Sequence, residues 1–205
     1  MSDKLASILS GLDGSVPKLN PFLYIVDSYK VSHKRFETEG VTEICSNFTA
    51  RFDKYMQELL GPYYSRDFVV FGVQYAILRL AYMANEGFFL RNKSEVLEEM
   101  RSVHGPYIQN EDFEHFGKLH DLGYLPIEIK ALPEGTIAPI ATPFLVIRNT
   151  HPEFEWLPNF LEPLLSVDIW KPLTVATVGY TIRKITNEFA LKTTGSLAGT
   201  EFQFT

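Results

Sequence analysis

Residues 127–131, Ile-Glu-Ile-Lys-Ala, alternate apolar and polar side chains. That is the period of a half-buried strand. Pro133-Glu134-Gly135 supplies a turn. Thr136 to Ile140 and Phe144 to Arg148 then read as two more short strands, joined across Thr142-Pro143. The pattern predicts a compact antiparallel β unit at about 125–150, set inside a chain whose other segments read as helices. The expected class is therefore α+β, with helices around a small antiparallel β unit. The change of texture near 122–126 is a candidate boundary, yet the helices on both sides read as one α+β unit.

The helical segments follow from periodicity and punctuation. Residues 3–11 read as a short helix ended by Gly11 and Asp13-Gly14. An apolar lead-in, Asn20 to Val26, runs into Asp27, which is placed to cap a turn through Ser28-Tyr29-Lys30. Residues 41–52 carry β-branched and aromatic residues and read as a strand. Phe71 to Phe89 reads as a helix with Tyr75, Leu78, Tyr82 and Met83 on one face. Glu95 to His104 reads as another, with Ser94 as N-cap and acidic residues near the positive end of the dipole. No capping box is expected there, because Leu97 occupies the third helical position. Residues 111–122 read as a third helix and Phe154–Leu165 as a fourth, interrupted near Pro158. The last helix is expected from Pro172 to Lys192, with Val175, Val178, Ile182, Ile185 and Phe189 on one face and Gly195 as its C-terminal cap. Phe202 and Phe204 alternate in the tail, which reads as the start of a strand.

Composition narrows the function classes. The 205 residues carry a net charge of -6, and no Lys/Arg run of 5–8 residues occurs. Phosphate-backbone binding needs clustered cations, so a nucleic-acid partner is not expected. No stretch of Met1 to Lys18 resembles a signal peptide, and no window holds the ~18 apolar residues of a membrane span. A membrane partner is not expected, and the default location is cytoplasmic. Cys45 is the only cysteine, which rules out an intrachain disulfide.

Few residues carry chemistry by themselves. His115 and His120 are five apart, off one helical face, and read as part of a solvated polar face rather than a metal site. His33 and His151 read as structural, and Cys45 as a small core residue. No Gly-rich phosphate loop follows a strand. Two residues keep two readings each. Tyr29 lies in a polar turn, where its ring could stack on a planar ligand or sit at a core edge. Arg51 ends the strand 41–52, where its guanidinium could grip a phosphate or form a surface ion pair.

Longer motifs carry more. Asp27-Ser28-Tyr29-Lys30-Val31-Ser32-His33, Phe71-Gly72-Val73-Gln74-Tyr75 and Leu125-Pro126-Ile127-Glu128-Ile129-Lys130-Ala131-Leu132-Pro133-Glu134-Gly135 stand in order. Asn149-Thr150-His151-Pro152-Glu153, Trp156-Leu157-Pro158-Asn159 and Trp170-Lys171-Pro172-Leu173-Thr174-Val175-Ala176-Thr177 follow. In this order and spacing the chain resembles the N-terminal part of nicotinamide phosphoribosyltransferase from residue 22 onward. The related nicotinate branch usually lacks the Asp-Ser-Tyr-Lys form, so the amide-using enzyme is the closer resemblance, with a nicotinate relative as the alternative.

The resemblance implies a type II phosphoribosyltransferase (nicotinate phosphoribosyltransferase-like) fold. Residues 1–21 would be an extension, and 22–205 the N-terminal portion, with the barrel domain starting at about 172–205 and left incomplete. It implies transfer of phosphoribosyl from phosphoribosyl pyrophosphate to nicotinamide, giving nicotinamide mononucleotide and pyrophosphate for NAD salvage. Mg²⁺ and ATP serve the full-length family, the latter through a phosphorylated histidine; neither is expected bound to this chain alone. The family is a homodimer. In it, the tyrosine matching Tyr29 stacks on nicotinamide across the dimer, the arginine matching Arg51 reaches phosphates, and Asp27 would support the Tyr29 turn. Phe202 matches an aromatic near a substrate tunnel.

The family's chains are longer, and a His-Asp-Phe-Gly segment expected after Phe204 would supply the second stacking ring. Most of the site is expected downstream. The expectation is therefore no catalytic residue and no metal ligand in this chain, and no turnover by it alone. A fragment, one half of an enzyme completed by a complementary C-terminal chain, and a non-catalytic interaction protein all remain open.

Overall fold

The computed structural model describes residues 21–108 and 113–202. The helix read at 3–11 lies outside them. In chain order the elements are α1 (Pro21–Tyr24), α2 (Ser28–Val31), β1 (Cys45–Thr49), α3 (Lys54–Leu60), β2 (Asp67–Val69), α4 (Val73–Ala84), α5 (Lys93–His104), α6 (Glu114–Leu122), β3 (Ile127–Ala131), β4 (Ile137–Pro139), β5 (Pro143–Asn149) and α7 (Leu157–Thr194).

The three expected strands form, but they do not share one sheet. β5 is the centre of a three-stranded antiparallel sheet ordered β1-β5-β3, pairing Ile129 with Ile147 and Asn47 with Val146. β4 leaves it and pairs with β2, Phe68 opposite Ala138. The strand read at 41–52 is confined to Cys45–Thr49, and its pairing with β5 shifts register between Phe48 and Thr49. Cys45 is exposed rather than a core residue, since β1 is an outer strand.

The long helix α7 corrects the two-helix reading. It runs unbroken from Leu157 to Thr194 through Pro163 and Pro172. Pro158 lies in the first turn, where its missing N–H costs nothing. The internal prolines each delete a ladder bond. That loss is offset by burial of Leu161, Leu164, Leu165, Ile169 and Leu173 around them. The expected stripe is not the buried one: Val175 and Phe189 are exposed, while Leu173, Thr177 and Thr181 are covered. Thr177 explains this, because its hydroxyl donates to the Leu173 carbonyl at 2.8 Å and accepts from the Val69 N–H at 3.0 Å. The threonine face is thereby fastened to the edge of β2. Gly195 caps the helix in the left-handed region (φ 67°), donating to the Leu191 carbonyl at 3.1 Å.

α4 likewise turns a different face inward. Val73, Ala76, Leu80, Met83 and Ala84 are buried, whereas Tyr75, Leu78 and Tyr82 face solvent. The small alanines permit close packing, and the rings stay outside. The helix ends in a π turn, Asn85–Phe89, whose Phe88 packs on Phe22 at 5.3 Å between centroids. The core is one cluster, with Trp156, Phe116 and Phe160 in edge-to-face contact at its centre. Thr200–Phe202 is a 3-10 turn, not the start of a strand, and residues 203–205 lie outside the described ones.

The histidines are built into this core. The His115 ring meets Trp156 at 4.8 Å, nearly perpendicular. His120 Nε2 donates to the Arg91 carbonyl at 3.0 Å and its ring packs on Phe88. The solvated-face reading of this pair is overturned: the sequence shows the polar ring atoms but not the aromatic wall they face. His151 Nδ1 accepts from the Glu153 N–H at 3.2 Å, closing a short turn. Among the described residues no group of three His, Cys, Asp or Glu side chains could hold a metal ion, and no helix is long and apolar enough to cross a membrane.

Candidate functional site

Tyr29 projects from α2, a single turn entered through Asp27. Asp27 has extended backbone (φ -68°, ψ 130°), and its carbonyl accepts the Lys30 N–H at 2.9 Å. Its carboxylate does not cap the helix. It accepts instead from the Tyr29 hydroxyl at 3.3 Å. The ring is 57% exposed and lies 5.1 Å from His33, tilted by 50°. Desolvation, and then the neighbouring Asp27 carboxylate, raise the Tyr29 phenol above its ordinary range.

The Lys30 side chain is buried, with its ammonium 6.0 Å from the centroid of the Tyr29 ring. Its ammonium pairs with Glu162 of α7 and lies 3.8 Å from Asp27. Burial pulls this ammonium below the ordinary lysine value, and Asp27 pushes back. This half-buried ion pair ties α2 to α7.

Arg51 follows β1 rather than ending it, two residues after Thr49. The buried Ala50 anchors the loop, and its carbonyl accepts the Ala141 N–H at 2.9 Å. Arg51 lines a groove of about 610 Å³ with Asn47, Phe52, Asn159, Glu162 and Trp170. Ser46 and Ser166 hydroxyls add to its polar wall, Ser166 donating to Glu162 at 3.3 Å. Among the described residues no carboxylate pairs with Arg51. A planar fork of donors, open to a groove whose polar wall carries amides and hydroxyls beside the Glu162 carboxylate, suits an anion with several oxygens.

A second cavity of about 260 Å³ shares Phe52 and Trp170 but is mostly apolar. Its one charged lining residue, Asp53, is already committed to Arg66 at 2.9 Å. The Arg51 groove therefore has the better chemistry for a charged ligand.

Tyr29 does not line that groove. The Lys30–Glu162 pair ties the Tyr29 turn to the groove wall. Lys30 is visible in the sequence as part of a matched motif, Glu162 is not, and no local pattern pairs residues 132 apart. Trp170 was visible there only as part of a matched motif. Phe202 ends the last turn, and its side chain lies outside the described residues.

The chain is similar to known proteins. The chain is 36% identical over 183 residues to the nicotinamide phosphoribosyltransferase of Acinetobacter baylyi, covering 88% of this chain. A second nicotinamide phosphoribosyltransferase, from Xanthomonas campestris pv. campestris, is 38% identical over 77 residues. This chain is a relative of nicotinamide phosphoribosyltransferases. It spans 36% of the length of the Acinetobacter protein and 16% of the Xanthomonas one. No protein-family model matches it. The structure superimposes on human nicotinic acid phosphoribosyltransferase with a TM-score of 0.56 over 78% of this chain and 28% of that one, at 19% identity. The fold is thus that of part of a type II phosphoribosyltransferase: α+β, with small antiparallel sheets and no closed barrel among the described residues.

Proposed function

We propose that these residues form one wall of a phosphoribosyltransferase site that joins phosphoribosyl pyrophosphate to nicotinamide. The observation that carries this reading is Arg51, which lines a groove of mixed polar and apolar side chains with no acidic partner among the described residues. Arg51 would hold phosphate or pyrophosphate oxygens, placing positive charge where the leaving group develops negative charge. Tyr29 would offer its face to the flat nicotinamide ring, a contact worth ~0.5–1.5 kcal/mol beyond area burial. Its hydroxyl is held by Asp27, so the ring is oriented before a ligand arrives.

On this reading the Tyr29 ring, standing outside the groove of its own chain, serves a pocket completed by a second chain, either another copy or a complementary one. The amide-using reaction is favoured over the nicotinate one by the names of the two curated relatives. Mg²⁺ and ATP belong to the whole-enzyme reading. Among the described residues no cluster of His, Cys, Asp or Glu side chains could hold a metal ion. With one ring and one guanidinium in place, the 205 residues alone are expected to hold substrate fragments without turning them over.

Two measurements test the reading. Pyrophosphate titrated against the purified chain should bind, and Arg51→Ala should weaken it by about tenfold, the effect of losing ~1.4 kcal/mol. Nicotinamide mononucleotide formation should stay at the no-protein blank. Equal binding by Arg51→Ala removes the phosphate role, and clear turnover removes the expected inactivity of the isolated chain.

A further inference from the structure

Glu162 stands in an awkward place. Its carboxylate lines the same groove as Arg51. A bare carboxylate there would cancel the guanidinium and repel an anion. It is not bare, because the Lys30 ammonium contacts it from the buried side. Lys30 is 7% exposed in its side chain, while Glu162 is 47% exposed. The cation is thus hidden and its partner faces the ligand space.

We propose that Lys30 acts on the groove through Glu162: its ammonium masks the Glu162 carboxylate, so that Arg51 sets the groove's charge and a phosphate-bearing anion can enter. The proposal rests on the reading of this groove as an anion site. Lys30 is a positioning residue in this scheme and touches no ligand. Asp27, a second carboxylate near it, lies 3.8 Å from Lys30, and the same oxygen accepts from the Tyr29 hydroxyl at 3.3 Å. One buried cation therefore neutralises the groove carboxylate and steadies the Tyr29 turn together.

The pair can be dissected without collapsing the fold. Lys30→Met keeps the buried methylene stem. The two carboxylates it leaves are both about half exposed and stay hydrated. Glu162→Gln removes the charge and keeps an acceptor for Lys30.

The chain carries its own reporter. Of its two tryptophans, Trp156 is 1% exposed and Trp170 is 59% exposed and lines the groove. Quenching of Trp170 by iodide relative to caesium, at low ionic strength, reads the local charge with no ligand present. Lys30→Met should lower the iodide-to-caesium ratio about twofold, and Glu162→Gln should raise it. The double variant restores the net charge of the wild-type pair and should return to the wild-type ratio. Acrylamide, which is uncharged, should quench all four proteins alike. Pyrophosphate affinity should follow the same order, with Lys30→Met weakest by about tenfold.

A Glu162→Gln chain that loses iodide access and pyrophosphate affinity as Lys30→Met does would overturn the masking role. So would a double variant no better than Lys30→Met. If the quenching order holds while the wild-type chain fails to bind pyrophosphate, the masking stands and the phosphate reading of the groove fails.

Discussion

A Cβ on Gly72 would stand 2.5 Å from Cβ of Pro172. The two residues mark where the start of α4 meets the middle of α7. Gly72 has φ 90°, a left-handed conformation that costs a side-chain-bearing residue about 1 kcal/mol or more. Pro172 is rigid and cannot yield by rotation. Gly72→Ala therefore combines backbone strain with overpacking and should lose about 2–4 kcal/mol in urea unfolding. A loss under ~1 kcal/mol would mean that α4 and α7 move apart freely.

Acid sensitivity should centre on Asp53. Its carboxylate accepts from Arg66 Nε at 2.9 Å, Arg66 Nη2 at 3.3 Å and Gln57 Nε2 at 2.8 Å. The Arg66 bond, opposed by burial and aided by Gln57, holds this carboxyl below the ordinary aspartate range. A depressed folded value contributes stability above the unfolded pKa of ~3.9 and loses it as pH falls through the lower folded value. The urea midpoint of the wild-type chain should fall steeply below about pH 4. Asp53→Asn should start lower at pH 7 and show a shallower acid limb. Parallel limbs for the two proteins would assign the acid sensitivity elsewhere.

What the sequence announces and what it hides divide along the range of the interaction. β3, its turn and β5 are legible because alternation is local. β2 is three residues long, too short to display a period, so β4's departure to pair with it was unreadable. The start of α5 was misplaced because Asn92-Lys93-Ser94 holds two residues able to cap. Asn92 wins: its side chain accepts from the Ser94 N–H at 2.9 Å and also from the Ser94 hydroxyl at 2.6 Å. Pro172 reads locally as a helix start, but packing against Gly72 keeps it inside α7. The site follows the same rule. Tyr29 and Arg51 were weak candidates by chemistry alone and emerged through matched motifs. The Lys30–Glu162 pair that links their surroundings exists only once the chain has folded.

Asn149 offers the sharpest stability test. It is buried at the end of β5, and its amide makes three bonds. Oδ1 accepts from the Ile44 N–H at 2.8 Å, while Nδ2 donates to the Thr42 and His151 carbonyls at 2.9 Å each. One side chain thus ties the approach to β1 and the exit of β5 together. Asn149→Ala leaves a backbone donor and two acceptors without this partner, and should cost about 2–4 kcal/mol. Asn149→Asp keeps the acceptor for Ile44 but aims a negative oxygen at two carbonyls. At neutral pH it should be at least as damaging as Asn149→Ala. Its acid form regains one donor, so the introduced carboxyl should titrate above ~3.9 in the folded state. With a raised folded pKa, the stability is present below the unfolded pKa and is lost as pH rises through the folded one. Asn149→Asp should therefore recover part of its loss on acidification relative to Asn149→Ala, read as the difference in urea midpoints between pH 7 and pH 4. A pH-independent difference would show that water, not the carbonyls, receives the new carboxylate.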